Sequence, residues 1–389
     1  MAAHPFDALT ADVMRAGGTW KWSGQGVAGG TDRHGRGLIG AFVAEMDFPT
    51  ADPVADAVRA SVDASRFGYL ADAWVADMAA ACAAFWADRF GWSVDPARIR
   101  PVPDVMTALV ATIERFTPPG TPVLLPMPAY MPFLTVPGRL GREMVPVPMA
   151  RDPFTLDLDA LDAAFASSGS KLLVLTNPHN PTGRVFTAEE LTAVAAVVER
   201  HGARVFADEI HAPLTFDGRA HVPYASLSGT TAAHAITATS ASKAWNLPGL
   251  KCGQVILSND EDAATWAEHG YLAEHSTATP GVLATTAAYA HGDPWLDDVL
   301  AYLDGNRALL REATLPGVGA IVPEGTYLAW LDASGLGLDE PASAFFAREA
   351  GVVMTDGALC GGPGGMRLTL ATARPVLAEA LERMAAALH

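Results

Sequence analysis

Only four of the 26 basic side chains in this 389-residue sequence are lysines: Lys21, Lys171, Lys243 and Lys251. Arg supplies surface charge almost everywhere else, so a retained Lys is a candidate for chemistry that needs an amine able to lose its proton. Two of the four stand close together, in Ser240-Ala241-Ser242-Lys243 and Asn246-Leu247-Pro248-Gly249-Leu250-Lys251. Two more polar clusters precede them, Thr176-Asn177-Pro178-His179-Asn180-Pro181-Thr182-Gly183 and Asp208-Glu209-Ile210-His211. Each has an ordinary reading when taken alone. Asn between two prolines is a turn former, Asp at a strand end caps a helix or binds a metal, and Ser-x-Ser-Lys is a weak motif. As a set they place an amide, a carboxylate and a lysine in succession.

The elements around them say how they meet. Apolar runs at 122–125, 172–175, 204–207 and 235–238 read as short strands, and each of the last three is followed at once by one of the clusters. Between them, 187–201 reads as a helix. Thr187 and Glu190 form a capping box, Leu191, Val194, Ala195 and Val198 share one face, and Gly202 follows the end. Strand–helix–strand order implies an α/β fold with a mostly parallel sheet flanked by helices. Open parallel sheets bind ligands at the carboxyl ends of their strands, which is where the three clusters fall. Beyond about 285 the texture changes to helices at 295–313, 340–350 and 374–388 and short strands near 326–331 and 366–369. The expected organisation is a large domain over 46–285 and a smaller α+β domain from 1–45 and 286–389.

The set matches electron-sink chemistry. A lysine that forms a Schiff base with pyridoxal phosphate must be deprotonated near neutral pH, which desolvation and nearby cations promote. The cofactor's pyridine nitrogen needs a buried carboxylate to stay protonated. Its phenolic oxygen wants donors, and its phosphate wants hydroxyls, helix-start N–H groups and a cation. A metal site from Asp208, Glu209, His211 and His179 is the alternative, but His-Glu-x-x-His and a carboxylate cluster are both missing from the sequence.

On these residues the chain resembles fold-type I pyridoxal-phosphate enzymes of the class I/II aminotransferase superfamily, and within them the cystathionine β-lyase-like, carbon–sulfur lyase branch. The resemblance extends over Lys21-Trp22, Val43–Pro49, Phe67-Gly68-Tyr69, Pro128-Ala129-Tyr130, the clusters above, 285–295, 324–330 and Arg367-Leu368. It implies a pyridoxal-phosphate transferase-like fold with Lys243 as Schiff-base lysine and base at Cα. Asp208 would be the partner of the pyridine nitrogen, and His211 and Asn180 would face the phenolic oxygen. It implies Tyr130 stacked on the ring, with Ser240, Ser242, Lys251 and the N–H groups of Val105 and Met106 around the phosphate. Val105 and Met106 would open a helix running to about Phe116. Tyr69 would reach the phosphate of a neighbouring subunit, implying a homodimer with shared sites. Arg367, with Asn180, would clamp the substrate α-carboxylate.

Three departures stand out: Glu45 where the branch has Asp, Asp104 where relatives have Gly, and Leu359-Cys360-Gly361 for the usual Phe-Gly. A carboxylate at 104 would repel the phosphate unless it points away or serves as N-cap. The resemblance implies β-elimination on cystathionine or another S-substituted L-cysteine, giving thiol, pyruvate and ammonia. An aminotransferase, or a decarboxylating oxidative deaminase of an S-conjugated cysteine, would use the same residues. A regulatory protein that keeps the fold and acts by contact is a third reading.

Composition narrows the partners. With 26 basic against 43 acidic side chains and a formal net charge of −17, the chain is unsuited to holding nucleic-acid backbones. Cys82, Cys252 and Cys360 are too few and too scattered for a disulfide framework or a CxxC pair. The first residues show no basic-then-apolar leader, and no apolar run nears the ~20 residues of a membrane span. The expectation is a soluble cytoplasmic enzyme with a small-molecule substrate and no membrane partner.

Overall fold

The computed structural model describes residues 4–150 and 154–389. The chain divides into two compact units, one of Met1–Pro49, Asn180–Gly183 and Asp298–His389, the other of Thr50–His179 and Arg184–Asp297.

The larger unit is built on seven strands: β1 (Ile99–Val102), β2 (Val123–Met127), β3 (Met144–Pro148), β4 (Leu172–Thr176), β5 (Arg204–Asp208), β6 (Ala235–Thr239) and β7 (Gly253–Leu257). Their order across the sheet is β1-β7-β6-β5-β4-β2-β3. Neighbours run parallel except along β7, which is antiparallel to both β1 and β6. The central strands are largely apolar and buried, as in parallel sheets covered by helices. All five residues of β4, of β6 and of β7 are buried. Helix α1 (Val105–Arg115) lays Val105, Ala108, Leu109 and Ile113 on the core with Phe133, Val174 and Phe206. The helix expected at 187–201 is Ala188–Arg200, with both halves of the Thr187–Glu190 capping box formed. At its far end Lys171 Nζ donates to the His201 carbonyl at 2.6 Å, a cation on the last turn of a helix.

The smaller unit carries a four-stranded antiparallel sheet. Its order is Thr355–Asp356, Gly365–Thr369, Leu328–Asp332, Gly319–Ile321. Ile39–Gly40 also pairs in parallel with Val352–Val353. Trp22, Leu331, Met366, Leu368, Leu377 and Met384 belong to its core. The strand expected from 326 begins at Leu328, because Thr326 has φ 67° and its hydroxyl accepts the Leu328 N–H at 2.9 Å. The segment Asn180–Gly183 belongs to this unit through one residue above all. Gly183 has φ 72°, and its carbonyl accepts the N–H groups of Glu324 (2.8 Å) and Gly325 (2.9 Å). A Cβ there would lie 2.3 Å from the Cβ of Pro323, so only glycine allows this approach.

Candidate active site

In the larger unit the parallel register sets the polar groups. β4 and β5 pair Thr176 with Asp208, and β5 and β6 pair Asp208 with Ala238. Asp208 therefore ends the central strand, 4% exposed, with Oδ1 accepting the Ile210 N–H at 3.2 Å. Burial is the strongest influence on its carboxyl. The Ile210 N–H opposes it, Glu209 adds to it, and Lys243 and the Thr176 hydroxyl oppose it again, leaving the group pushed up to about 7. A carboxylate lifted that far has more burial than counter-charge, and a cationic N–H such as a pyridinium is the type of partner it fits. Lys243, whose charge reaches Asp208, rides on a one-turn helix, α2 (Ala241–Ala244), directly after β6. Beneath α2, Trp245 donates to the Gly292 carbonyl at 3.0 Å and packs against Phe85 and Tyr289.

Ser240 is the N-cap of α2. Its Oγ accepts the Ser242 N–H at 3.0 Å and donates its proton to the Cys252 carbonyl at 2.8 Å, so the hydroxyl is engaged locally. Ser242 is half-buried and Lys251 exposed, in left-handed backbone with φ 52°. Val105 and Met106 open α1, where first-turn N–H groups have no intrahelical acceptor. Tyr130 is half-buried at the start of helix Met131–Arg139, edge-on to Phe133 at 5.4 Å. His211 is 1% exposed. His179 is buried too, which pushes its imidazole down to about 3 and keeps it neutral. Glu209 has partners of its own: one oxygen accepts the Tyr224 N–H at 2.7 Å and the other lies 3.2 Å from His221 Nε2. Tyr69 is 86% exposed, its ring stacked on His275 at 5.5 Å.

In the smaller unit Arg367 is 2% exposed on strand Gly365–Thr369. Its Nη1 donates to Asn180 Oδ1 at 3.1 Å, and its Nη2 to the Phe42 carbonyl at 2.8 Å and Thr355 Oγ1 at 3.3 Å. The guanidinium plane is fixed from three directions. Two departures lie around it. Cys360 is fully buried, which raises its thiol, while the Arg367 charge acts the other way. Tyr327 is raised above the usual phenol range by burial, with Arg367 lowering it and Glu45 raising it. The third departure, Asp104, lies in the larger unit and is the N-cap of α1, its Oδ1 accepting the Thr107 N–H at 2.9 Å.

Some supports were beyond sequence reasoning. Lys21 is fully buried and its Nζ binds Asp47 Oδ2 (2.7 Å) and the Ala371 carbonyl (2.9 Å). The Trp22 indole holds the other Asp47 oxygen at 2.7 Å. The motif at 43–49 is thus pinned by the Lys21-Trp22 pair. Thr355 and the Phe42 carbonyl had no local signal, because both reach Arg367 only through the folded sheet.

Comparison with known proteins gives the family. Residues 43–384 match the model of the family "Aminotransferase class I and II". A cystathionine beta-lyase of Corynebacterium glutamicum is 35% identical, covering 90% of this chain and 94% of its own. A protein from Corynebacterium diphtheriae, provisionally described as a PLP-dependent beta-cystathionase, is 38% identical with a TM-score of 0.90 over 98% of both chains. The PLP-bound C-S lyase of Staphylococcus hominis has a TM-score of 0.87 at 27% identity over 99% of both chains. With a family match across most of its length and curated relatives above 30% identity, the chain belongs to the class I and II aminotransferase family of pyridoxal-phosphate enzymes.

Proposed function

We infer that this chain is a pyridoxal-phosphate-dependent carbon–sulfur β-lyase. Its substrate is cystathionine or another S-substituted L-cysteine, and its products are a thiol, pyruvate and ammonia. The observation that carries the cofactor reading is Asp208, a buried carboxylate at a central strand end within electrostatic reach of Lys243. The relatives named cystathionine beta-lyase support the choice of reaction.

The bound cofactor supplies an electron sink for the bond electrons at the substrate Cα. Asp208 would hold the proton on the ring nitrogen, and Lys243 would anchor the aldehyde carbon. Lys251, Ser242 and the N–H groups of Val105 and Met106 would hold the phosphate, with Ser240 shaping the turn that presents them. Tyr130 would cover the ring, and His211 and Asn180 would donate to its phenolic oxygen. Arg367, fixed in orientation before substrate arrives, grips the α-carboxylate bidentately with Asn180 beside it. The Lys243 amine would take the Cα proton at Nζ. As the Cα–H electrons form a Cα–Cβ double bond the Cβ–S bond breaks, and sulfur leaves with its electron pair and takes up a proton. Hydrolysis of the released enamine gives pyruvate and ammonia.

The functional unit is a homodimer in the cytoplasm. Tyr69 supports the dimer: it stands 86% exposed, and Phe67 (63%), Tyr271 (67%) and Leu272 (73%) are exposed as well. Tyr69 and Tyr271 line a groove of about 600 Å³ together with Leu70, Arg100 and His275. Three unpaired, buried cysteines suit a reducing compartment. No helix among the described residues is long and apolar enough to cross a membrane.

Replacing Lys243 by Ala tests the reading. The folded variant should lose the visible absorbance of lysine-bound cofactor and at least ~10³-fold in turnover. Unchanged absorbance and turnover would overturn it.

A further inference from the structure

Lys251, the cation assigned to the phosphate, is already paired. Its Nζ donates to Asp104 Oδ2 at 3.1 Å, while Asp104 Oδ1 accepts both the N–H and the hydroxyl of Thr107 at 2.9 Å. The three elements are crowded together. A Cβ on Gly253 would come within 3.2 Å of the Thr239 carbonyl and 3.5 Å of the Asp104 backbone, so the N-cap of α1, the end of β6 and the start of β7 share one corner. Burial raises the Asp104 carboxyl, but the Thr107 N–H, Lys251 and the Thr107 hydroxyl outweigh it and hold it below the usual carboxylate range. At neutral pH Asp104 is an anion that draws on a helix-start amide and an ammonium. Those are the donor types a phosphate dianion would use.

We propose that Asp104 is a positioning residue that sets cofactor affinity by competing with the cofactor phosphate for the Lys251 ammonium. The ion pair orients Lys251 at the corner while drawing off part of its charge, so the cofactor binds more weakly and exchanges faster than Lys251 alone would allow. The proposal rests on the reading of Lys251 as a phosphate ligand. Both side chains are partly solvated, with relative exposures of 56% and 39%, so the effect is modest.

The test uses the full-length enzyme and reads cofactor binding rather than turnover. Cofactor Kd and the rate of cofactor release are measured by absorbance for wild type, Asp104→Asn, Lys251→Gln and the double variant. Asn keeps an oxygen for the Thr107 N–H, so the cap on α1 survives. Asp104→Asn should tighten binding and slow release by roughly three- to tenfold, the range for a partly screened ion pair. Lys251→Gln should weaken binding, and in its background the gain from Asp104→Asn should vanish. Unchanged or weaker binding in Asp104→Asn, or a gain undiminished in the double variant, overturns the proposal. If Lys251→Gln leaves Kd unchanged, the phosphate-ligand reading itself fails and the proposal falls with it.

Discussion

At Asp208 the sequence position and the electrostatics say different things, and together they define the residue's work. Its place at the end of an apolar run was legible, because parallel strands deliver their next residue to one sheet edge. Its burial, and the lift to about 7 that burial causes, were not. Near pH 4 and below, the carboxyl is protonated in folded and unfolded chains alike. Between about pH 4 and 7 only the folded chain keeps the proton, and above 7 the folded chain carries a buried charge that is poorly matched. Stability of the cofactor-free chain should therefore fall as pH rises through that window. Cofactor-free Asp208→Asn should be more stable than wild type at pH 8 by about 2–4 kcal/mol, with the difference closing toward pH 4. Denaturant titration across pH checks this, and a constant difference would contradict it. With cofactor the same variant should lose about 10²–10³ in kcat, since a neutral amide cannot hold the ring proton. Arg367→Lys should lower kcat/KM for amino-acid substrates about 10- to 100-fold, mostly through KM, because a lysine cannot reproduce the fork. Steady-state kinetics on one substrate series reads that split.

Elements explain what the residue list could not. The scarcity of lysine led to Lys243, yet Lys21 and Lys171 had no role in the sequence, because the Lys21 partners lie 26 and 350 positions away and the Lys171 partner 30 positions away. Lys21 holds the 43–47 segment by a buried ion pair with Asp47, so Lys21→Met strands a buried carboxylate. Denaturant unfolding should show a loss of about 3–5 kcal/mol, and a loss below ~1 kcal/mol would mean the pair is dispensable. Likewise, Asn-Pro-Thr-Gly reads locally as a turn, while its partner surface at 323–325 is distant in sequence. Asn180 comes to Arg367 because Gly183 lets the segment pack against Pro323. Gly183→Ala should cost about 1–3 kcal/mol of stability and raise KM for substrate. An unchanged KM would separate the segment from substrate binding. Asp104 shows the limit of motif reading most clearly. Its sequence position left repulsion, avoidance and capping open, and the fold makes it a cap whose second oxygen faces Lys251.

For the whole molecule, periodicity and strand–helix order were enough to read a mostly parallel sheet, because short, largely apolar runs alternate with amphipathic helices. The antiparallel β7 was invisible to that logic, since pattern alone does not give direction. The proposed sharing of sites between two subunits makes a prediction only an assembly can meet. Tyr69→Ala and Lys243→Ala should each be nearly inactive, yet mixed and re-equilibrated dimers should regain about a quarter of wild-type sites, one intact site in each hybrid. Failure to complement would remove Tyr69 of the partner subunit from the reaction. The reaction type is the central claim, and one assay reads it directly. Purified enzyme is given cystathionine or an S-alkyl cysteine with no keto acid, and pyruvate and free thiol are followed together. A β-lyase should release both in equal amounts over many turnovers. A halt after a single turnover, with the cofactor left in its pyridoxamine form, would contradict the account and make the enzyme a transaminase.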